Sequence, residues 1–283
     1  MTRAMLITHT HPEAPADATS AAVAATAKAA KQASVELIST SDELHKHGDA
    51  AAGIEQVEDG ERPDVCVVLG GDGSILYALR RFAGTDVPVF GVNYGTVGFL
   101  AAVERDKLEE GLGRAFRGDF VSLDMPALRA DLSLERPVAL NDFSFNRRPH
   151  GRVAELAYAI GDEEVGNVRC DGLVAATPAG STGYNLANAG PILAWGVKGY
   201  VVSFIAPHTL AARALVVAPD DALQVRNAAG REPVEISLDG EAAGELEPGD
   251  TLEIRFEESV SRLAQLPGSS FYHRIREKFG KLA

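Results

Sequence analysis

Along the first 118 residues, runs of consecutive apolar positions are separated by stretches with helical spacing. The runs are Ala4-Met5-Leu6-Ile7, Val65-Cys66-Val67-Val68-Leu69 and Val87-Pro88-Val89-Phe90-Gly91-Val92. A strand covered on both faces reads this way, because neither side of it meets water. The pattern predicts strands at 4–8, 35–38, 65–69 and 87–92, and helices over 14–33, 74–82 and 105–117. The 14–33 stretch is rich in alanine and carries Lys28 and Lys31 near its C-terminal end, where cations meet the negative end of the helix dipole. Strands alternating with helices predict an α/β domain over residues 1–118, built on a parallel sheet.

From residue 119 the period shortens to two. Segments at 127–134, 138–146, 155–161, 173–177, 199–205, 214–217, 223–226, 234–238 and 251–255 are separated by turn residues, and one helical stretch opens near Thr182. Many short strands at this spacing predict a mainly antiparallel β-sandwich over 119–260. Residues 261–283 form a tail in which Phe271, Tyr272, Ile275 and Phe279 fall at helical spacing, so a C-terminal helix over 270–282 is expected to pack back on the core.

Two glycine-rich segments interrupt this pattern, Leu69-Gly70-Gly71-Asp72-Gly73-Ser74 and Thr177-Pro178-Ala179-Gly180-Ser181-Thr182-Gly183-Tyr184-Asn185. Each sits between a strand and a helix start. Glycines there let the backbone approach an oxyanion, and the free N–H groups at the helix N-terminus attract it. A carboxylate amid such a loop would repel a bare phosphate, so Asp72 fits an anion arriving with a divalent cation, or a hydroxyl that must lose its proton. On turn chemistry alone, Gly-Gly-Asp-Gly is equally an ordinary loop. In the second segment N-caps and a glycine turn compete with a nucleoside site, which Thr182, Tyr184 and Asn185 would suit with hydroxyls, an amide and an aromatic face.

The charge balance narrows the partners. Lys and Arg number 27 against 40 Asp and Glu, a net charge of −13 with a pI near 5.0. Nucleic acid is excluded, because its binders need basic surface. An anionic ligand must be met by local devices instead. Hydrophobic residues at 46% and charged ones at 24% mark a globular chain. Two cysteines, Cys66 and Cys170, make neither a disulfide framework nor a zinc site, which fits a reducing cytoplasm. Without an apolar run of about 18 residues or a signal segment, no membrane association is expected.

With these segments in view, the chain resembles the NAD kinases over nearly its whole length. The resemblance is carried by Gly70-Gly71-Asp72-Gly73-Ser74, the segment Gly91 to Leu100, Leu140-Asn141-Asp142, Asp171-Gly172 through Tyr184-Asn185, Pro207-His208-Thr209-Leu210, Ser237-Leu238-Asp239-Gly240-Glu241 and Phe271-Tyr272. Gly-Gly-Asp-Gly alone is shared with diacylglycerol and sphingosine kinases and phosphofructokinases. The Asn-Asp pair and the long glycine and threonine segment make the match specific.

The resemblance implies phosphorylation of the 2′-hydroxyl of the adenosine ribose of NAD, with ATP or polyphosphate as donor and a divalent metal, Mg²⁺ first, as cofactor. It makes Asp72 the general base or a metal-linked carboxylate, and turns the Gly70, Gly71, Gly73 and Ser74 loop toward the donor phosphates. Asn141 and Asp142 would hold the ribose and adenine, although by residue type alone they read equally as a strand-end turn. Thr182, Gly183 and Tyr184 match an adenine-contacting segment continued by Asn185 and Ala187. Asp171 matches an acidic residue that reaches ligand, often from a neighbouring subunit, so a homo-oligomer, dimer or tetramer, is implied. Asn93 matches a position near the nucleotide but reads equally as a turn residue. Arg169 is a candidate phosphate contact or a solvated arginine. The metal-ligating residues are not identified.

Several positions depart from the family's pattern. Ser74 replaces a frequent Thr, Asp142 a Glu, Gly183 an Ala, Ala187 a Ser and Ala214 a Pro. These bear on affinity and on the choice between NAD and NADH more than on reaction type. A lipid or sphingoid kinase with the same loop, or a non-catalytic NAD sensor, are the competing readings; the first wants an apolar acceptor pocket and the second has no use for a base. If Asp72 is the base, Asp72→Asn is expected to keep the shape of the turn and the stability of the fold while removing the proton acceptor.

Overall fold

The computed structural model describes residues 2–9, 16–96, 98–228 and 232–280. Residues 14 and 15 of the first expected helix, 281 and 282 of the last, and Val97 of the Gly91 to Leu100 motif lie outside them. The chain forms two compact units, one of Met1–Asp124 with Ser261–Ala283 and the other of Met125–Val260.

In the first unit the apolar runs become a parallel sheet. Strand Arg3–Thr8 lies between Glu36–Thr40 and Val65–Gly70, and Glu55–Val57 extends the edge beyond Glu36–Thr40. Pro88–Asn93 flanks Val65–Gly70, placing Leu69 beside Val92 and Gly70 beside Asn93, so the loops after these two strands leave the sheet together. On the other side of Pro88–Asn93, the returning chain adds a parallel strand through Arg262 and Leu263. Val65, Val67 and Leu69 share one face with Phe90 and Val92, packed against Val23 and Ala30 of helix Ala16–Gln32 and Leu112 and Phe116 of helix Leu108–Phe116. Alternation sends Gly91 to the opposite face, where Ile75 of helix Asp72–Arg81 occupies the space a Cβ would need.

The second unit is a sandwich. One sheet runs antiparallel from Glu163–Cys170 through Ala154–Ile160 and Leu223–Asn227 to the first half of Thr251–Gln265. The other is also antiparallel, in the order Leu215–Val217, Tyr200–Ile205, Gly172–Ala176, Asp142–Arg147, Val234–Leu238, Glu241–Leu246. Phe143, Phe145, Tyr200, Leu156, Val225 and Ile254 meet in its core. The fold is thus an α/β N-terminal domain, a mainly antiparallel β-sandwich and a C-terminal helix.

Several expected elements move. Helix 74–82 starts at Asp72, and 105–117 is a 3₁₀ turn, Arg105–Lys107, followed by Leu108–Phe116. The expected strand 138–146 is broken into Val138–Ala139 and Asp142–Arg147. Helix Ser41–His47 and strands Glu55–Val57, Glu163–Cys170 and Glu241–Leu246 were not expected. The C-terminal helix is Phe271–Phe279, capped by Ser270 Oγ, which accepts the His273 N–H at 3.1 Å. Of its four apolar positions Ile275 is buried, but Tyr272 is 73% exposed. The helix is held by more than an apolar stripe. Cys66 and Cys170 are free and buried, and no described helix is long and apolar enough to cross a membrane.

Candidate functional site

In the first unit the strand Val65–Gly70 ends on the first glycine of the loop, Gly71 caps the next helix, and Asp72 is that helix's first residue. The carboxylate therefore opens a helix, where the N-terminal dipole favours negative charge, and does not sit in mid-loop as its turn-like neighbours suggest. Both its oxygens are engaged. The Phe99 N–H donates to Oδ2 and the Leu100 N–H to Oδ1, each at 2.8 Å.

Two of the glycines serve the chain itself. A Cβ on Gly70 would stand 2.6 Å from the Ser74 side chain, and one on Gly71 would stand 3.3 Å from the Gly95 Cα. The Tyr94 N–H donates to the Gly70 carbonyl at 3.0 Å, closing the two loops on each other. Gly73 is different: it is exposed, with nothing within 4 Å of a Cβ, and as the second helical residue its N–H has no acceptor within the helix, whereas the Ser74 and Ile75 N–H groups donate to the Gly71 carbonyl at 3.0 and 3.1 Å. Ser74 is buried, with its side chain packed under Gly70. Asn93 is buried as well. It is the last residue of its strand, and its Nδ2 donates to Glu104 Oε2 at 2.7 Å while its Oδ1 accepts the Gly95 N–H at 3.0 Å, so the carboxamide is spent on shaping the following turn.

In the second unit, Asn141 and Asp142 sit where the strand breaks, and Asp239 explains why. Its carboxylate accepts the N–H groups of Leu140, Asn141 and Asp142 at 3.0, 2.6 and 3.1 Å. Thr177 ties down the same turn by donating from Oγ1 to the Leu140 carbonyl at 2.6 Å and from N–H to the Asn141 carbonyl at 2.9 Å. Gly180 lies so close beneath the Asn141 backbone that any Cβ would overlap it. Gly180→Ala is expected to cost about 1–3 kcal/mol through overpacking, read as a lower melting temperature, and to raise the KM for nucleotide because the 140–142 turn must move. An unchanged melting temperature and KM would show that the turn yields freely.

Asp142 is buried, and its carboxyl is pushed up to about 7, first by loss of water and then by the nearby charge of Asp239. The charges of Asp142 and Asp171 both reach the Tyr184 phenol, whose pKa rises first through burial and then through them. Tyr184, Gly183 and Ala187 are exposed, and Thr182 is half-buried with its hydroxyl donating to the Ala179 carbonyl at 3.1 Å. The Tyr184 hydroxyl donates to Asn146 Oδ1 at 3.2 Å. Asn185 is fully buried, and its Nδ2 donates to the carbonyls of Ser181 and Pro191 at 2.9 and 3.0 Å, so it braces the loop from inside.

Asp171 pairs with Arg147, whose Nε donates to Oδ1 at 2.6 Å. Arg169 is exposed and lines a cleft of about 580 Å³ with Arg147, Arg148 and Arg152. Sequence reasoning missed the last three, and also Asp239, although the Asp239-Gly240 pair stood in a quoted motif. No group of three or more His, Cys, Asp or Glu side chains among the described residues is placed to hold a metal ion.

Residues 16–120 match the family model for the ATP-NAD kinase N-terminal domain, and residues 140–265 the model for its C-terminal domain. The chain is 36% identical over 238 residues to an NAD kinase of Gemmatimonas aurantiaca, covering 80% of this chain and 82% of that one. An NAD kinase of Symbiobacterium thermophilum is 38% identical over 220 residues, covering 76% and 78%. Among solved structures the fold is similar to yeast NADH kinase complexed with NADH, with TM-score 0.84 and 20% identity over 100% of this chain and 89% of that one. It is also similar to an NAD kinase from Archaeoglobus fulgidus in complex with ATP, with TM-score 0.74 and 24% identity over 99% and 98%. Both domain models in sequence order, with relatives matching across both, leave one assignment: the chain belongs to the NAD kinase family.

Proposed function

We propose that the protein phosphorylates the 2′-hydroxyl of the adenosine ribose of NAD, using ATP, with Asp72 as general base. The observation that carries this reading is the Asp72 carboxylate at the head of a helix, oriented by two peptide N–H groups beside the exposed Gly73. Each carboxylate oxygen keeps a lone pair beyond the one its amide uses. A ribose hydroxyl is too weak an acid to ionise at neutral pH, so a positioned acceptor is needed. In the step itself the 2′-oxygen bonds to the γ-phosphorus, the bond from that phosphorus to the β,γ-bridging oxygen breaks, ADP leaves, and the hydroxyl proton goes to Asp72.

Residues of the second unit hold the acceptor in this reading. Asp142 in its ionised form accepts from ribose hydroxyls, Asn141 offers an amide, Thr182, Gly183 and Tyr184 line the adenine, and Ala187 lies toward the nicotinamide end. Asp171 reaches ligand within a homo-oligomer, and Arg169 meets phosphate. A cytoplasmic setting suits two buried free cysteines.

A divalent cation, Mg²⁺ first, enters as the companion of the donor's triphosphate. Among the described residues no group of three or more His, Cys, Asp or Glu side chains is placed to hold the ion, which fits a cation that arrives with its phosphates. Excess chelator is therefore expected to stop NADP formation while leaving the melting temperature unchanged. Full activity without metal would remove the cation from the reading.

The deciding assay incubates purified protein with NAD, ATP and Mg²⁺ and follows NADP. Sphingosine and diacylglycerol serve as rival acceptors. NADP formation supports the proposal, lipid phosphorylation replaces it with the lipid-kinase reading, and nucleotide binding without turnover marks a sensor.

A further inference from the structure

Arg274, in the C-terminal helix Phe271–Phe279, is 8% exposed. A guanidinium taken out of water costs several kcal/mol unless its donors are met, so what meets them is informative. Its Nη1 donates to the carbonyl oxygens of Phe99 at 3.0 Å and Gly98 at 3.4 Å, and its Nη2 to Ser269 Oγ at 3.1 Å and to Gln265 Oε1. Gln265 in turn donates from Nε2 to the Leu100 carbonyl at 2.8 Å.

The two carbonyls on Arg274 belong to the same peptide units as the two N–H groups on Asp72. The Gly98 C=O and Phe99 N–H form one planar group, and the Phe99 C=O and Leu100 N–H form the next. Each plane is gripped at both ends, by the guanidinium at its oxygen and by the Asp72 carboxylate at its nitrogen. A rigid plane transmits orientation, and a cation on the oxygen polarises the N–H that faces the carboxylate. Among the charges acting on Arg274, that of Asp72 is the largest influence opposing the effect of burial.

We propose that Arg274 is a positioning residue for phosphoryl transfer, fixing the Asp72 carboxylate through the two peptide planes between residues 98 and 100. The inference rests on the reading of Asp72 as base. A second thread anchors the same helix beside the same turn. Lys278 Nζ donates to Glu104 Oε1 at 3.2 Å, Glu104 Oε2 accepts from Asn93, and Phe279 packs its ring 5.4 Å from that of Phe99. With the helix so tethered, loss of the guanidinium leaves the turn in place but unaligned.

The test compares wild type with Arg274→Met, which keeps the length of the stem, and Arg274→Lys, which restores charge without the planar fork. Tyr272→Ala on the exposed side of the helix is the control. The expected order in kcat is wild type and Tyr272→Ala, then Arg274→Lys about threefold lower, then Arg274→Met about tenfold or more lower, with KM for NAD and for ATP within about twofold throughout. A residue that only fastened the helix would give Lys and Met the same loss, or change KM and kcat together. Either pattern overturns the proposal, as does a kcat for Arg274→Met equal to wild type. Should Arg274→Met fail to fold, Arg274→Lys decides alone: the same modest loss in kcat at constant KM supports the proposal, and a wild-type kcat overturns it. Asp72→Asn, run in parallel, separates the two levels. If it retains most of the rate the base reading itself fails, whereas a dead Asn variant beside a fully active Met variant removes only the role of Arg274.

Discussion

Replacing Asp72 with asparagine is expected to lower kcat for NADP formation by about a hundredfold or more, because the amide cannot take the ribose proton. The structure adds a second expected effect. Asparagine has one acceptor where aspartate has two, so either the Phe99 or the Leu100 N–H would face an NH₂ group. Leaving one such donor unmet costs about 1–3 kcal/mol, and the melting temperature should fall by several degrees. This revises the expectation from sequence that the substitution would spare stability. Rate and melting temperature must therefore be measured together, with the assay well below the variant's transition. A folded Asn variant that keeps most of the wild-type rate would make Asp72 a staple between a helix and a turn, and would leave catalysis to positioning alone.

Asp142→Asn should weaken the enzyme and strengthen the fold. In the folded protein the carboxyl titrates near 7 instead of at its ordinary 3.8, so the native state holds this proton more tightly than the unfolded chain does. Below pH 4 both states are protonated and burial costs nothing. Between about pH 4 and 7 the unfolded chain ionises while the native carboxyl does not, and stability falls as pH rises. Above 7 the full penalty stands, on the order of 2–4 kcal/mol. Asparagine removes it, so denaturation should show the variant more stable at pH 8 and equal to wild type near pH 4. Catalysis should move the opposite way, with kcat/KM for NAD lowered by roughly thirtyfold to a thousandfold, as for loss of a charge-assisted contact of about 2–4 kcal/mol. In wild type the KM for NAD should improve as pH rises through 7 and the carboxylate forms. A variant with unchanged kcat/KM would show that the ribose is held elsewhere, and one destabilised at pH 8 would show that Asp142 is not strained by burial.

The parts of this fold that were legible in the sequence are those governed by neighbours. The run Val65 to Leu69 announces a strand buried on both faces, and the glycines after it announce a turn into a helix. Strand Glu163–Cys170 was missed because it lies at a sheet edge with most positions exposed, and glutamates, glycine and asparagine blur its alternation. Site residues divide along a similar line. An amide side chain such as Asn93 or Asn185 offers the same hydrogen bonds to a ligand as to its own backbone, so residue type could not say that both point inward. Asp239 and Arg274 act on turns far away in the chain, and nothing near either one marks the target. The pairing of Arg147 with Asp171 is hidden in the same way, since it depends on two strands meeting in register.

The first unit is assembled from both ends of the chain, and this sets an order in time. Protein synthesis delivers residues 1–124 first, with Asp72 and its loop among them, while the strand that flanks Pro88–Asn93 and the helix bearing Arg274 emerge only after the whole β-sandwich has been made. Until then the 98–100 turn has no guanidinium against its carbonyls, and Pro88 and Val89 lack the strand partners that Arg262 and Leu263 supply. If Arg274 aligns Asp72 as proposed, a chain arrested before residue 274 has its Asp72 loop in place without the guanidinium that orients it.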